Sequence, residues 1–149
     1  MKNPEYQREN LNQAVYEMLV LCFKQMNKAT EALKNNDIDL AEEVIHREKR
    51  VNAQDLKIER DCERYMALFN PVASDLRFAM AVLKINNNLE RIGDHAHDIA
   101  DYIVDYEKGI DPVLLKNIQY EKMVSSMESM FEDIIEAFES LDAKRARKV

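Results

Sequence analysis

The chain has 149 residues, 46% hydrophobic and 33% charged: enough apolar side chain for one core, unlike a disordered chain, and too many charges for a membrane-spanning one. Average usage would supply roughly ten glycines and seven prolines; two glycines and three prolines disfavour β-sandwich and doubly wound folds and leave long helices with few connections. Twenty-one basic against 28 acidic side chains give a net charge of −7, which argues against a nucleic-acid partner.

The first ten residues, MKNPEYQREN, lack the apolar core of a signal peptide. The first predicted helix runs from about Glu5 to Lys34, with Leu11, Val15, Met18, Cys22, Met26, Ala29 and Leu33 at three- and four-residue steps. After Asn35-Asn36-Asp37, a second helix reaches about Phe69 through Leu40, Val44, Val51, Ile58, Cys62 and Tyr65. Asp37 or Asp39 can cap it, and Asp39 with Glu42 has capping-box spacing. Asn70-Pro71 predicts a cap and first position for the third helix, which extends to about Lys108 and is interrupted by Asn86-Asn87-Asn88. Gly109, Asp111 and Pro112 predict a stop, a cap and the start of a fourth helix to about Leu141. Rods of roughly 40–55 Å, at ~1.5 Å per residue, joined by loops this short must pack antiparallel. Cys22 and Cys62 fall inside the apolar patterns and read as reduced core residues of a cytosolic protein. Met123, Met127 and Met130 read as core, with an adaptable partner surface as the alternative.

Shifting the sequence by 105 positions lays the fourth helix on the first. Met18 meets Met123, Cys22 meets Met127, Met26 meets Phe131 and Leu33 meets Phe138, while Asp37, Ala41 and Val44 meet Asp142, Ala146 and Val149. This predicts one three-helix unit over residues 1–109 and the start of a second over 110–149, ending in the opening turn of a further helix. The alternative is a finished four-helix bundle with a basic tail. The first reading leaves the apolar face of the fourth helix uncovered and predicts self-association.

On the third helix Glu90, Asp94, Asp98, Asp101 and Asp105 recur at steps of four, four, three and four, along one side. Gly93, within this stripe, admits close approach of another backbone or a bound ion at a cost of about 1 kcal/mol against alanine. The second helix carries Glu48, Asn52, Asp55 and Glu59. If the rows face each other, their oxygens form a site for iron, manganese, magnesium or zinc; the alternative is a solvated acidic face. His97, three residues after Asp94, can join the metal edge or stand as a solvated or interfacial histidine. Glu43 and His46 form a single Glu-x-x-His, whereas a di-iron bundle needs two. The sequence has no glycine-rich phosphate loop, Cys-x-x-Cys or His-Glu-x-x-His.

The stretch from Asn70 to Ala96, NPVASDLRFAMAVLKINNNLERIGDHA, resembles the signature of the PhoU family of phosphate-signalling proteins, and the likeness extends from about Leu11 to Leu141. The resemblance implies an all-α fold: an antiparallel three-helix bundle followed here by the first helix of a second, incomplete three-helix repeat. It also implies a cytoplasmic, often dimeric, non-enzymatic negative regulator that contacts the ATPase of a phosphate ABC transporter and a phosphate-sensing histidine kinase, without membrane insertion. Some family members bind iron or zinc through an acidic-x-x-x-Asp motif, here Glu90 and Asp94. The expected ligand set is therefore Glu90, Asp94, Asp98, Glu48 and Asn52. The competing expectation is a carboxylate-bridged metalloenzyme on a helical bundle.

Overall fold

A computed structural model describes residues 3–141 and 143–149. Three helices of 32 residues, each ~48 Å long, make the body: α1 (Pro4–Asn35), α2 (Ile38–Phe69) and α3 (Ser74–Asp105). They are followed by α4 (Pro112–Asn117), α5 (Tyr120–Ser140) and α6 (Ala143–Ala146). No strand occurs among the described residues.

Local chemistry sets most of the ends. Asn3 accepts from the Tyr6 amide, with Pro4 in the first turn, and Asp37 accepts from the Leu40 amide. Asp37 is thus the cap of α2, and Asp39 lies inside the helix rather than opening a capping box. Asp111 caps α4 as expected. Two boundaries differ from expectation. Asn70 does not open α3; it closes α2 at φ 44°, its N–H donating to the Met66 carbonyl. The chain then reverses through Ala73 (φ 51°, ψ −118°), a conformation that favours glycine, and α3 begins at Ser74. The expected fourth helix is also broken, at Gln119 (φ 54°). Tyr120 turns inward there, and its hydroxyl donates to the Thr30 carbonyl of α1 at 2.7 Å.

Cross-helix contacts give the directions. Gln54 reaches the Ala14 carbonyl and Gln25 the Val44 carbonyl, so α1 and α2 are antiparallel. Cys62 lies on Ala79, and Asn86 on Asp55, so α2 and α3 are antiparallel too. Cys22 on Leu89 and Arg8 on Asp75 make α1 and α3 parallel. One buried cluster, including Met18, Cys22, Val51, Ile58, Cys62 and Ala79, fills one end of the bundle; a second, including Ala29, Ala41, Val44, Ala96 and Ile103, fills the other. Both cysteines are buried and free, and burial pushes the Cys22 thiol up to about 12.

Helix α5 packs antiparallel on α1 through Phe23 stacked on Phe131 at 4.9 Å, Tyr16 on Glu139 and Lys34 on Glu121. The ends of α1 and α5 share a geometry. Asn36 and Leu141 are both left-handed and donate to the carbonyls of Ala32 and Ala137, each pair 105 positions apart. Asp142, which the sequence repeat aligns with Asp37, lies outside the described residues. The stripes themselves differ: Met18 is fully buried, whereas Met123, its counterpart, is 57% exposed. Between α1, α3 and α5 an apolar cavity of about 440 Å3 is lined by Leu19, Ile85, Ile92, Met130 and Ile134 among others.

Candidate functional site

The acidic stripe of α3 lies along the seam with α2, where the helices come close. Gly93 is buried there, and a Cβ on it would meet Val51 Cγ1 at 2.8 Å. The missing side chain thus admits an α2 side chain, and that approach brings Glu48 and Asp55 alongside Glu90 and Asp94.

Glu90 and Asp94 stand one turn apart on α3, close enough for each side chain to act on the other. Like charges so placed disfavour ionisation of one of the two. Burial first, then the Asp94 side chain and the charges of Asp94, Asp55 and Glu48, push Glu90 up to about 7. Burial is also the main cause lifting Glu48 above the usual carboxylate range, opposed by His97 and helped by Asp94, Asp101 and Asp98. Asp55 is raised by burial and by Asp94, and held down by its hydrogen bond from Asn86.

Glu48 and Asp55 of α2 each have an α3 partner. His97 Nε2 lies 2.9 Å from Glu48 Oε2, and its Nδ1 lies 3.3 Å from Asp101 Oδ2, so the ring bridges the two helices. Asn86 Nδ2 donates to Asp55 Oδ1 at 2.6 Å and to the Asp55 carbonyl at 3.2 Å. Of the five expected ligands, Glu90, Asp94 and Glu48 are half-buried in the seam, whereas Asp98 and Asn52 are exposed. Among the described residues, no three His, Cys, Asp or Glu side chains form a ready-made metal cage. The donor chemistry, all carboxylate and amide oxygen, is nevertheless of the kind a hard or borderline cation takes, and an ion there would cancel the surrounding repulsion.

Sequence reasoning put Asp55 in the α2 row but outside the ligand set, and read Asn86 as an interruption. A signal for Asn86 was present: four residues after Val82 and three before Leu89, it occupies an inward stripe position, and it is 1% exposed. The Glu43 and His46 pair is no site, for Glu43 binds Lys28 at 2.6 Å and Arg47 at 3.3 Å, while His46 is exposed. No helix among the described residues is long and apolar enough to cross a membrane.

A family described as PhoU domain matches residues 15–103, nearly all of α1–α3. The phosphate-specific transport system accessory protein PhoU homolog of Aquifex aeolicus is 35% identical over 141 residues, 95% of this chain and 63% of that protein. The phosphate-specific transport system accessory protein PhoU of Escherichia coli is 32% identical over 142 residues, 95% of this chain and 58% of that protein. The chain therefore spans about three fifths of the length of these relatives. The crystal structure of PhoU from Pseudomonas aeruginosa superposes with a TM-score of 0.89 at 29% identity, covering 98% of this chain and 69% of that one. The phosphate transport system regulatory protein PhoU from Streptococcus pneumoniae gives a TM-score of 0.85, also at 29% identity, covering 98% and 68%.

Proposed function

The chain belongs to the PhoU family, and from that premise we propose that it is a non-enzymatic regulator of phosphate uptake and phosphate-responsive gene expression. It works in the cytoplasm as a homodimer, by contact with the ATPase of a phosphate ABC transporter and with a phosphate-sensing histidine kinase, restraining both when phosphate is plentiful. The observation that carries this reading is the family match across the whole helix pair that bears the acidic seam. The test is genetic: a strain lacking the gene should express phosphate-uptake genes in phosphate-rich medium, and the intact gene should silence them again. Unchanged expression in the deletion strain would reject the regulator.

The same reading includes a bound cation, iron or zinc first and manganese or magnesium next, held by Glu90 and Asp94 with Glu48, Asp98 and Asn52 contributing. What supports it is the gathering of Glu90, Asp94 and Glu48, half-buried, along the α2–α3 seam, where their mutual repulsion would be relieved by a cation. Elemental analysis should find metal with the purified protein and none with the Glu90→Ala/Asp94→Ala double variant; equal metal content in both would remove the assignment.

One observation favours a second reading, a carboxylate-bridged metalloenzyme. A carboxyl at about 7 is poised for proton transfer at neutral pH. Turnover of a generic phosphoester or of dioxygen by metal-loaded protein, lost in Asp94→Ala, would favour the enzyme over the regulator.

A further inference from the structure

Helix α5 packs on α1 and stands off from α3. The Phe23–Phe131 stack and the Tyr120 hydroxyl on the Thr30 carbonyl hold it to α1. Ile85 of α3 and Met130 of α5 stay 38% and 42% exposed on either side of the gap. The gap is the apolar cavity of about 440 Å3, within the roughly 300–1,000 Å3 of small-molecule sites. Apart from Asn88, every residue lining it is apolar, and Met26, Met127 and Met130 supply unbranched side chains that adapt to an occupant's shape. An open apolar surface of this kind is where ligands and partners bind.

The dimensions choose the occupant. On α5 the lining runs from Met127 to Phe138, about 16 Å at ~1.5 Å per residue. A volume of about 440 Å3 over that length leaves a mean cross-section of about 27 Å2, against about 80 Å2 for a helix ~10 Å across. A helix, from a partner or a second copy, can lie over this slot but not in it; a single hydrocarbon chain can enter. The rim chooses the head group. Lys84, Arg91 and His95 lie four before, three after and seven after Asn88, on its side of α3, and all are exposed. Among the described residues no ion pair engages Lys84 or Arg91. The acids on the α5 side, Asp133 and Glu136, are already bound to Arg145. Uncommitted cations beside an apolar slot, on a chain of net charge −7, suit a hydrocarbon chain that ends in an anion. A phospholipid carries two such chains, and the slot takes one. We propose that the cavity binds a free long-chain fatty acid, its chain between α1, α3 and α5 and its carboxylate at Lys84 and Arg91. This site is separate from the acidic α2–α3 seam and does not depend on the regulator reading.

The test adds dodecanoate, below its micelle-forming concentration, to the full chain, with isotope-labelled methionine methyls observed by NMR. The methyls of Met26, Met127 and Met130 should shift, and that of Met80, outside the cavity, should not. Dodecanol, with the same chain and no charge, should bind about tenfold more weakly, and so should dodecanoate to the Lys84→Glu/Arg91→Glu variant. Both substitutions fall on exposed side chains, and the dodecanol comparison needs no variant at all. Absence of the methyl shifts, or equal shifts at Met80, overturns the site. Equal binding of dodecanol and dodecanoate overturns the anionic head. Shifts given by phosphatidylglycerol vesicles and not by dodecanoate overturn the free acid in favour of a membrane lipid. Shifts that follow protein concentration alone overturn it in favour of a second copy over the same face.

Discussion

On one flank of the α2–α3 contact, Val51, Ile58, Cys62 and Tyr65 close against Ala79, Val82 and Leu89, and none of them is more than 5% exposed. On the other flank, Glu48, Asp55, Glu90 and Asp94 remain half-buried, with contacts from His97 to Glu48 and from Asn86 to Asp55. The same two helices carry both flanks, and Gly93 and Val51 set their separation. The apolar flank holds the fold together through burial. The acidic flank is tolerated where Glu48 and Asp55 have found partners on α3, and on the proposed reading its residual repulsion would favour uptake of a cation.

The largest effect should come from the apolar flank. Ile58→Ala removes a fully buried side chain at the heart of the larger cluster, and denaturant unfolding should show a loss of about 2–5 kcal/mol. A value near that of an exposed substitution would mean that the flank is loosely packed.

Gly93→Ala comes next. The new methyl would meet Val51 Cγ1 at 2.8 Å, on a branched side chain close to the backbone. Overpacking of this kind costs about 1–3 kcal/mol, offset by about 1 kcal/mol of helix propensity. The variant should be modestly destabilised, and the double variant with Val51→Ala should lose much of that penalty. A more stable Gly93→Ala would show that the helices can part freely.

A smaller, pH-dependent effect belongs to Glu90. Its carboxyl sits at about 7 in the fold against an ordinary 4.5, so between those values the native state holds more protons than the unfolded chain. Stability should therefore fall as pH rises from about 4.5 through about 7. Glu90→Gln should flatten that fall, matching the unaltered chain at pH 4 and exceeding it at pH 8. Parallel pH profiles for the two proteins would place the proton elsewhere.

His97→Gln should have the smallest effect, about 0.2–1 kcal/mol, because the contacts with Glu48 and Asp101 are only partly buried. Comparing melts at low and high salt checks this, since the difference should shrink when added ions screen the acids.

Much of the body was legible in the sequence. The apolar stripes of α1 and α2 predict the buried residues Leu11, Met18, Cys22, Val44, Val51, Ile58 and Cys62 correctly, because a three- to four-residue period has only one way to form a continuous face. The acidic stripe was legible for the same reason. The late start of α3 and the break before Tyr120 were not. Neither Ala73 nor Gln119 is a residue type that announces a positive φ, and each takes one where the path between packed helices requires it.

Periodicity and local capping along one chain account for the three long helices, the apolar faces of α1 and α2 and the membership of the acidic row. Which carboxylates meet, and that Asn86 and His97 reach across to Asp55 and Glu48, follows from how the helices pack. Those pairings depend on the rotation and separation of two rods, a separation set by Val51 lying in the space that Gly93 leaves.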